Sequence, residues 1–295
     1  MDTRWIQDFV TLAEVRNFTR ASEIRNLSQA AFSRRIQSLE HWLGATLIDR
    51  TAFPLKLTEA GEQFRRLATG LLHQISDART QIAGEPSRHH VRLALPYALA
   101  TSRLPGWWRR WAPDPSVSCS IETGNVHDTV SAFAAGSVDL LICYHHAAHP
   151  VQLDSNKFER HPLGTERVRP YAAAALLEDA GGAWPGTPER PVPLLMYSPS
   201  VYFARVVDSA IETAPRPLHG VRRIEAAMSD VLADLARQGL GVAWLPEDSF
   251  AEGRLAGLHP VGGGAWDCDV SIVAYRAKPN GRRAVDGIWE RLAAG

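Results

Sequence analysis

The chain has 295 residues, 45% hydrophobic and 22% charged, with 32 basic side chains against 32 acidic and a formal net charge of zero. That length exceeds one ordinary core and implies two or three domains of a soluble globular protein. Zero net charge excludes binding of a polyanion through bulk charge, so any contact with nucleic acid must come from a local patch.

No run approaches the roughly eighteen apolar residues of a membrane span, and the start, "MDTRWIQDFV", carries acids and no signal-peptide core. The expectation is a cytoplasmic protein with no membrane association. The cysteines, Cys119, Cys143 and Cys268, are three in number and widely spaced. Cys119 and Cys143 fall in the strand-like runs "VSCSIE" and "DLLICY" and read as small buried hydrophobes, with nothing nearby to lower a thiol pKa.

Up to about Gly84 the pattern is short helices joined by polar turns. The first, "WIQDFVTLAEVR", places Trp5, Phe9, Leu12 and Ala13 on one face, and "NFTRASEIRN" follows as a short second helix. The third, "LSQAAFSRRIQSLEHWLG", has Phe32, Ile36, Leu39 and Leu43 in one narrow arc and Ser28 as N-cap. Its other side carries Ala30, Ser33, Arg34 and Gln37, with Gln29 in the first turn at the border; Arg35 flanks the apolar arc. A solvated face is normally rich in Glu and Lys. An amide, small residues, hydroxyls and one guanidinium instead suit base edges, because Gln pairs with adenine, Arg forks onto guanine and Ala or Ser admits a thymine methyl. Three short helices of this kind predict a helix-turn-helix, the alternative being a structural module whose arginines make salt bridges. The run "TLIDRTAFPLKLT" predicts a β-wing from which Arg50 and Lys56 reach phosphates or the minor groove.

Next, "TEAGEQFRRLATGLLHQISDARTQIAG" starts at Thr58, a helix N-cap, and places Phe64, Leu71, Ile75, Ala78 and Ile82 in a heptad-like seam. A helix of about 25 residues spans roughly 37 Å. Its apolar stripe predicts either a two-helix dimer seam or packing on the chain's own second domain. "GEPSRHH" reads as a hinge. From Val91 on, the apolar runs "VRLALP", "VSCSIET", "DLLICY", "VPLLMY", "GVAWLP" and "VSIVAY" alternate with helical stretches, which predicts an α/β domain with largely parallel strands. Charge does not separate the halves: residues 1–84 hold 11 Lys/Arg against 9 Asp/Glu.

In such a domain a ligand sits beyond the strand C-termini. The candidate lining is Tyr97, Thr101, Ser102, Asn125, Tyr144, His145, Tyr202, Met228 and Ser229: aromatic walls and hydrogen-bonding tips, lightly charged, with a helix starting near Thr101–Ser102. In "YHHAAH", His145 and His149 have a metal-ligand spacing for a helix, yet the segment follows a strand, ends at Pro150 and has no Cys or acid beside it. No metal and no cofactor are assigned. Enzyme motifs are lacking too. "GLGVAW" has no third glycine and leads into a strand, and there is neither a G-x-S-x-G elbow nor a phosphate-cradling loop. The competing readings are a solute-binding protein, against which the missing export signal counts, and a hydrolase with a triad assembled from distant residues.

Residues 9–61, "FVTLAEVRNFTRASEIRNLSQAAFSRRIQSLEHWLGATLIDRTAFPLKLTEAG", resemble the N-terminal signature of LysR-type transcriptional regulators. The resemblance lies in Phe-x-x-Leu-Ala-Glu, Asn-Phe-Thr-x-Ala, Ser-Gln-x-Ala-x-Ser-Arg, Leu-Glu-x-x-Leu-Gly and Leu-Thr-x-Ala-Gly, at family-like gaps. "VDLLICY" and "QGLGVAWLPE" resemble the family's effector domain. The resemblance implies a winged helix-turn-helix (residues 1–57), a dimerising linker helix (58–84), a hinge (85–90) and a two-lobed, periplasmic-binding-protein-like α/β domain (91–295). Lobe I would be 91–163 with 269–295, and lobe II 164–268. It implies base reading by Gln29, Ser33 and Arg34, and backbone or minor-groove contacts by Ser28 and Arg50. The expected partners are double-stranded promoter DNA, a second copy or a pair of dimers, a small-molecule effector or oxidant and, indirectly, RNA polymerase. Two departures stand out: Ala30 occupies a position where the family commonly has Pro, and the wing "TAFPLK" lacks the frequent arginines. "RNFTRASEIRNLSQAAFSRRI", "PLLMYSPSVY" and "GLGVAWLPE" look most like the branch of hypochlorite-responsive regulators. If methionine oxidation works there, Met228 is better placed for it than Met196, and core packing is the alternative for both.

Overall fold

The computed structural model describes residues 2–52, 55–83, 90–179, 184–248, 253, 255–278 and 282–295. Contacts group them into two units, residues 1–89 with 131–139 and residues 90–130 with 140–295.

In the first unit α1 (Thr3–Val15), α2 (Phe18–Ile24) and α3 (Gln29–Leu43) each start on a polar side chain that accepts a backbone N–H: Asp2 from Arg4, Asn17 from Arg20 and Ser28 from Ala31. Arg16 and Gly44 turn left-handed to end α1 and α3, at φ 51° and 68°. The apolar arcs meet in one core where Ile6, Phe9, Leu12, Phe32, Ile36 and Leu39 are fully buried. Each such side chain contributes about 1.5–3 kcal/mol. A short wing, β1 (Ile48–Asp49) antiparallel to β2 (Lys56–Leu57), leads into α4 (Glu59–Ala83). Thr58 caps α4, its hydroxyl accepting from Gly61 N at 3.0 Å and donating to the Thr46 carbonyl at 2.6 Å. A Cβ on Gly61 would collide with the Leu47 carbonyl, so the helix can enter this close to the wing only with glycine there.

The second unit is built on a nine-stranded sheet among the described residues. It contains β3 (His90–Leu95), β4 (Ser118–Thr123), β5 (Leu140–His145), β6 (Phe158–Ala173), β7 (Val192–Tyr197), β8 (Gly220–Ala226), β9 (Val242–Pro246), β10 (Leu258–Pro260) and β11 (Cys268–Ala277). The order is β4-β3-β5-β11-β6-β9-β7-β8, with β10 on β6. All six expected strands form, and the parallel pairs are β3 with β4 and β5, and β7 with β8 and β9. Between these two parallel sets, β6 and β11 run antiparallel over ten paired positions, with a register shift at Ile272/Val273 opposite Gly164 and Pro162. The sheet is therefore mixed rather than largely parallel. β6, β8 and β10 were not expected, because "FERHPLGTERVRPYAA" carries charges and two prolines, "GVRRIEA" is an exposed edge and β10 has three residues.

The helices are α5 (Tyr97–Ser102), α6 (Leu104–Trp111), α7 (Val126–Ala134), α8 (Ala174–Asp179), α9 (Tyr202–Thr213), α10 (Ser229–Arg237) and α11 (Arg283–Ala293). The two parallel sets run in opposite directions, so the helices after β3 and β4 and those after β7 and β8 turn their starts toward one another around a common space. Cys143 is buried as expected, whereas Cys119, on edge strand β4, is only half-buried. No described helix is long and apolar enough to cross a membrane. The hinge and the wing tip, Phe53-Pro54, lie outside the described residues apart from His90, the first residue of β3.

Candidate functional site

Two places concentrate functional groups. On α3, Phe32, Ile36 and Leu39 face the core while Ser28, Gln29, Ala30, Arg34 and Gln37 are exposed and Ser33 is half-exposed. Arg35 turns inward as its place on the wheel implied. Its Nη1 donates to Asp8 Oδ2 at 3.1 Å, and Arg25 Nε donates to Asp8 Oδ1 at 2.7 Å. Asp8 is fully buried, so its carboxylate ties α1, the end of α2 and α3 together. Asp8 was missed because it occupies an apolar-face position of α1, where nothing in the sequence marks a carboxylate as paired.

Gln29 and Ser33 line a groove of about 270 Å³ together with Phe18, Asp49, Arg50, Ala52 and Leu55. The Arg50 guanidinium lies over the Phe18 ring, 5.5 Å from its centroid, and pairs with Glu40 at 3.2 Å. Glu40 also accepts from the Leu47 and Ile48 amides at 2.8 and 3.1 Å. Arg50 is thus held over the groove rather than extended from the wing. Asp49 accepts two bonds from Thr51, whose hydroxyl and amide hold its carboxyl below the usual carboxylate range. Lys56 is exposed on the strand opposite Asp49.

On α4 the expected seam divides. Phe64 is half-buried and packs its ring 5.2 Å from that of Phe9, against the edge of the core. The exposed apolar residues are Leu67 and Leu71, with Ala78 exposed and Ile75 half-buried. Leu67 was missed because Phe64, one turn earlier, is larger and fits the heptad. The Ile82 side chain lies outside the described residues.

In the second unit the helix starts enclose a crevice of about 350 Å³, bordered by residues 96–98, 123–126, 200–203 and 227–230 together with Tyr144 and Tyr197. Of the expected lining, Tyr97, Asn125, Tyr144, Tyr202, Met228 and Ser229 are there. Thr101, Ser102 and His145 are not. α5 begins at Tyr97 rather than near Thr101, and the Thr101 and Ser102 hydroxyls donate to the Ala98 carbonyl at 3.2 and 2.6 Å. His145 ends β5, and its Nδ1 accepts from the Val151 amide at 3.4 Å. Burial lowers the pKa of both His145 and His146. Residues 145–149 form a strand end and a tight turn, not a helix, so the assumed ligand geometry of His145 and His149 does not arise.

That turn is clasped by Tyr202, whose hydroxyl accepts from the His146 amide at 2.6 Å and donates to the His149 carbonyl at 2.8 Å. Burial pushes its phenol up to about 12. Tyr202 also serves as a crevice wall. Met228, at the N-cap of α10, is 39% exposed on the crevice rim, whereas Met196 is 2% exposed inside β7.

A helix-turn-helix with an open polar face, followed by an α/β domain around a crevice, defines a DNA-binding regulator that carries its own sensor. Comparison with known proteins agrees. Residues 3–62 match the bacterial regulatory helix-turn-helix protein family of the lysR type, and residues 84–294 match the LysR substrate binding domain. The chain belongs to the LysR family of transcriptional regulators. It is 28% identical over 295 residues to the HTH-type transcriptional regulator YjiE of Escherichia coli K12, covering 99% of this chain and 94% of that protein. The full-length structure of HypT from Salmonella typhimurium, a hypochlorite-specific LysR-type regulator, is 29% identical with a TM-score of 0.58, covering 100% and 98% of the two chains. Vibrio fischeri DarR, solved in complex with DNA, is 28% identical with a TM-score of 0.58, covering 99% and 98%.

Proposed function

We propose that α3 reads operator DNA in the major groove through Gln29, Ala30, Ser33 and Arg34, while Ser28, Arg50 and Lys56 hold the backbone beside it. The observation that carries this reading is the groove that brings Gln29, Ser33 and Arg50 together on the open side of a helix whose other side is core. Bases are read by the amide, hydroxyl and guanidinium; phosphates position the domain. Two copies associate through the Leu67, Leu71, Ile75 and Ala78 stripe of α4, and pairs of dimers place recognition helices in successive grooves. A small molecule in the crevice, bordered by Tyr97, Asn125, Tyr144, Tyr202, Met228 and Ser229, favours one spacing of the lobes. DNA bending and polymerase access change to the extent that the ligand binds the two arrangements unequally. The protein acts in the cytoplasm, where its DNA is.

Hydroxyl-radical footprinting of the full chain on a duplex selected from a random pool tests this. The expected result is a dyad-related set of protected patches whose centres are spaced by whole helical turns of about 34–36 Å. Uniform protection with no dyad rejects it.

A second reading, supported by the likeness to the hypochlorite-specific HypT and by the exposure of Met228, is an oxidant signal in place of a bound ligand. Oxidation to the sulfoxide would turn this apolar rim side chain polar. Hypochlorite treatment followed by peptide mass spectrometry should then oxidise Met228 ahead of Met196. Equal oxidation of the two, or a DNA footprint that treatment leaves unchanged, rejects the reading.

A further inference from the structure

Four of the polar side chains around the crevice, Tyr197, Ser229, Tyr202 and Asn125, are already committed to bonds within the protein. The Tyr197 and Ser229 hydroxyls are bonded at 2.9 Å. The Tyr202 hydroxyl is spent on the His146 amide and the His149 carbonyl. Asn125 gives its amide N–H to Asp128 at 2.8 Å and takes the Asp128 backbone N–H on its carbonyl at 2.9 Å. The space left is walled by ring and hydrocarbon, chiefly Tyr97, Tyr144, Phe203, Val126 and Met228. Among the described lining residues none is Arg, Lys or His, and the one carboxylate is Asp230.

An anion entering this space would lose its water without meeting a cation. Asp128 and Asp230, in the first turns of α7 and α10, offset the positive ends of those two helices, so that an anion meets only the partial charges of the α5 and α9 starts. An apolar cavity of about 150 Å³ holds one benzene ring, and the crevice has 350 Å³.

Taking the crevice as the signal site, as proposed above, we infer that its ligand is an uncharged molecule built on about two fused aromatic rings rather than a carboxylate. The rings fill the space between Tyr97, Tyr144 and Phe203, and a hydroxyl or carbonyl on the ligand takes the remaining backbone groups at the rim.

Three probes with one ring system and different charge test this by calorimetric titration into the full chain at pH 7: 2-naphthalenemethanol, 2-naphthoate and 2-naphthylmethylammonium. The expected result is that the alcohol binds at least about tenfold more tightly than either ion. Its binding should be lost in Ala227→Trp and Ala98→Trp, which fill the crevice from opposite sides. Near-UV circular dichroism shows which of these variants keeps its fold. Tightest binding by either ion, with loss in the filled variants, overturns the ligand class and leaves the crevice as the signal site. Binding that the filled variants leave unchanged rejects the crevice itself. No binding by any probe also overturns the ligand class.

Discussion

Arg35 gives its Nη1 to the buried carboxylate of Asp8 at 3.1 Å, while Arg34, one residue earlier on α3, stands exposed with no ion pair among the described residues. Arg35 fixes the helix, whereas Arg34 is the arginine proposed above to read DNA. Their effects should therefore separate. Asp8→Ala leaves Arg25 and Arg35 without their shared partner. Because both are about a quarter exposed, the loss should fall below that of a fully buried pair, at about 2–4 kcal/mol in urea unfolding. Arg34→Ala should leave stability within about 0.5 kcal/mol. A large loss of stability in Arg34→Ala would show that the two roles are not divided in this way.

Arg50 is expected to act on all DNA alike. Its guanidinium is anchored by Glu40 and Phe18 at the groove, so Arg50→Ala should weaken specific and random duplexes by similar factors. The slope of log affinity against log salt should fall by about one phosphate contact. A loss confined to one sequence would move Arg50 from backbone to base contact.

On α4 the exposed leucines and the half-buried Phe64 should behave differently. Leu67→Glu with Leu71→Glu should shift sedimentation toward the monomer and leave unfolding little changed. Phe64→Ala removes a half-buried ring packed on Phe9 and should cost less than the roughly 3–5 kcal/mol of a core phenylalanine, about 1–3 kcal/mol. Unchanged sedimentation in the double variant would remove this stripe from the dimer.

Tyr202→Phe keeps the crevice wall and removes the clasp on the 146–149 turn. The His146 amide loses its acceptor, which should cost about 1–3 kcal/mol and speed hydrogen exchange at that amide. Exchange as slow as in the parent chain would show that the clasp does not hold the turn.

Thiol chemistry offers a simple check of the strand assignments. Burial pushes both Cys143 and Cys268 up to about 12, so at pH 8 neither holds an appreciable thiolate fraction. In the folded protein Cys119 should react first with a disulfide reagent, and all three cysteines should react in denaturant. Early labelling of Cys143 would contradict the buried β5.

Apolar periodicity carried most of the fold. Phe32, Ile36 and Leu39 were legible because a helix repeats its inner face every three or four residues, and six strands were legible as short apolar runs. β6 was not legible. It lies inside the sheet between β11 and β9, yet its first part is charged, and Pro162 marks a register shift that local pattern does not reveal. At the crevice the aromatic residues after the strands were found, because strand ends announce themselves. Thr101 and Ser102 misled, since a hydroxyl spent on a carbonyl one turn back looks the same in sequence as one offered to a ligand. Asp8 and Glu40 were missed for a related reason: their partners are remote in sequence or are backbone amides.

Whether the open face of α3 reads bases is decided by duplex selection from a random pool, comparing the full chain with Arg34→Ala at physiological salt. A dyad-symmetric motif is expected for the parent chain. For the variant the expected result is the same motif with preference lost at one position in each half-site and about 1–3 kcal/mol less binding there. An unaltered motif with equal weakening on selected and random DNA would contradict it, and would place Arg34 on the phosphates.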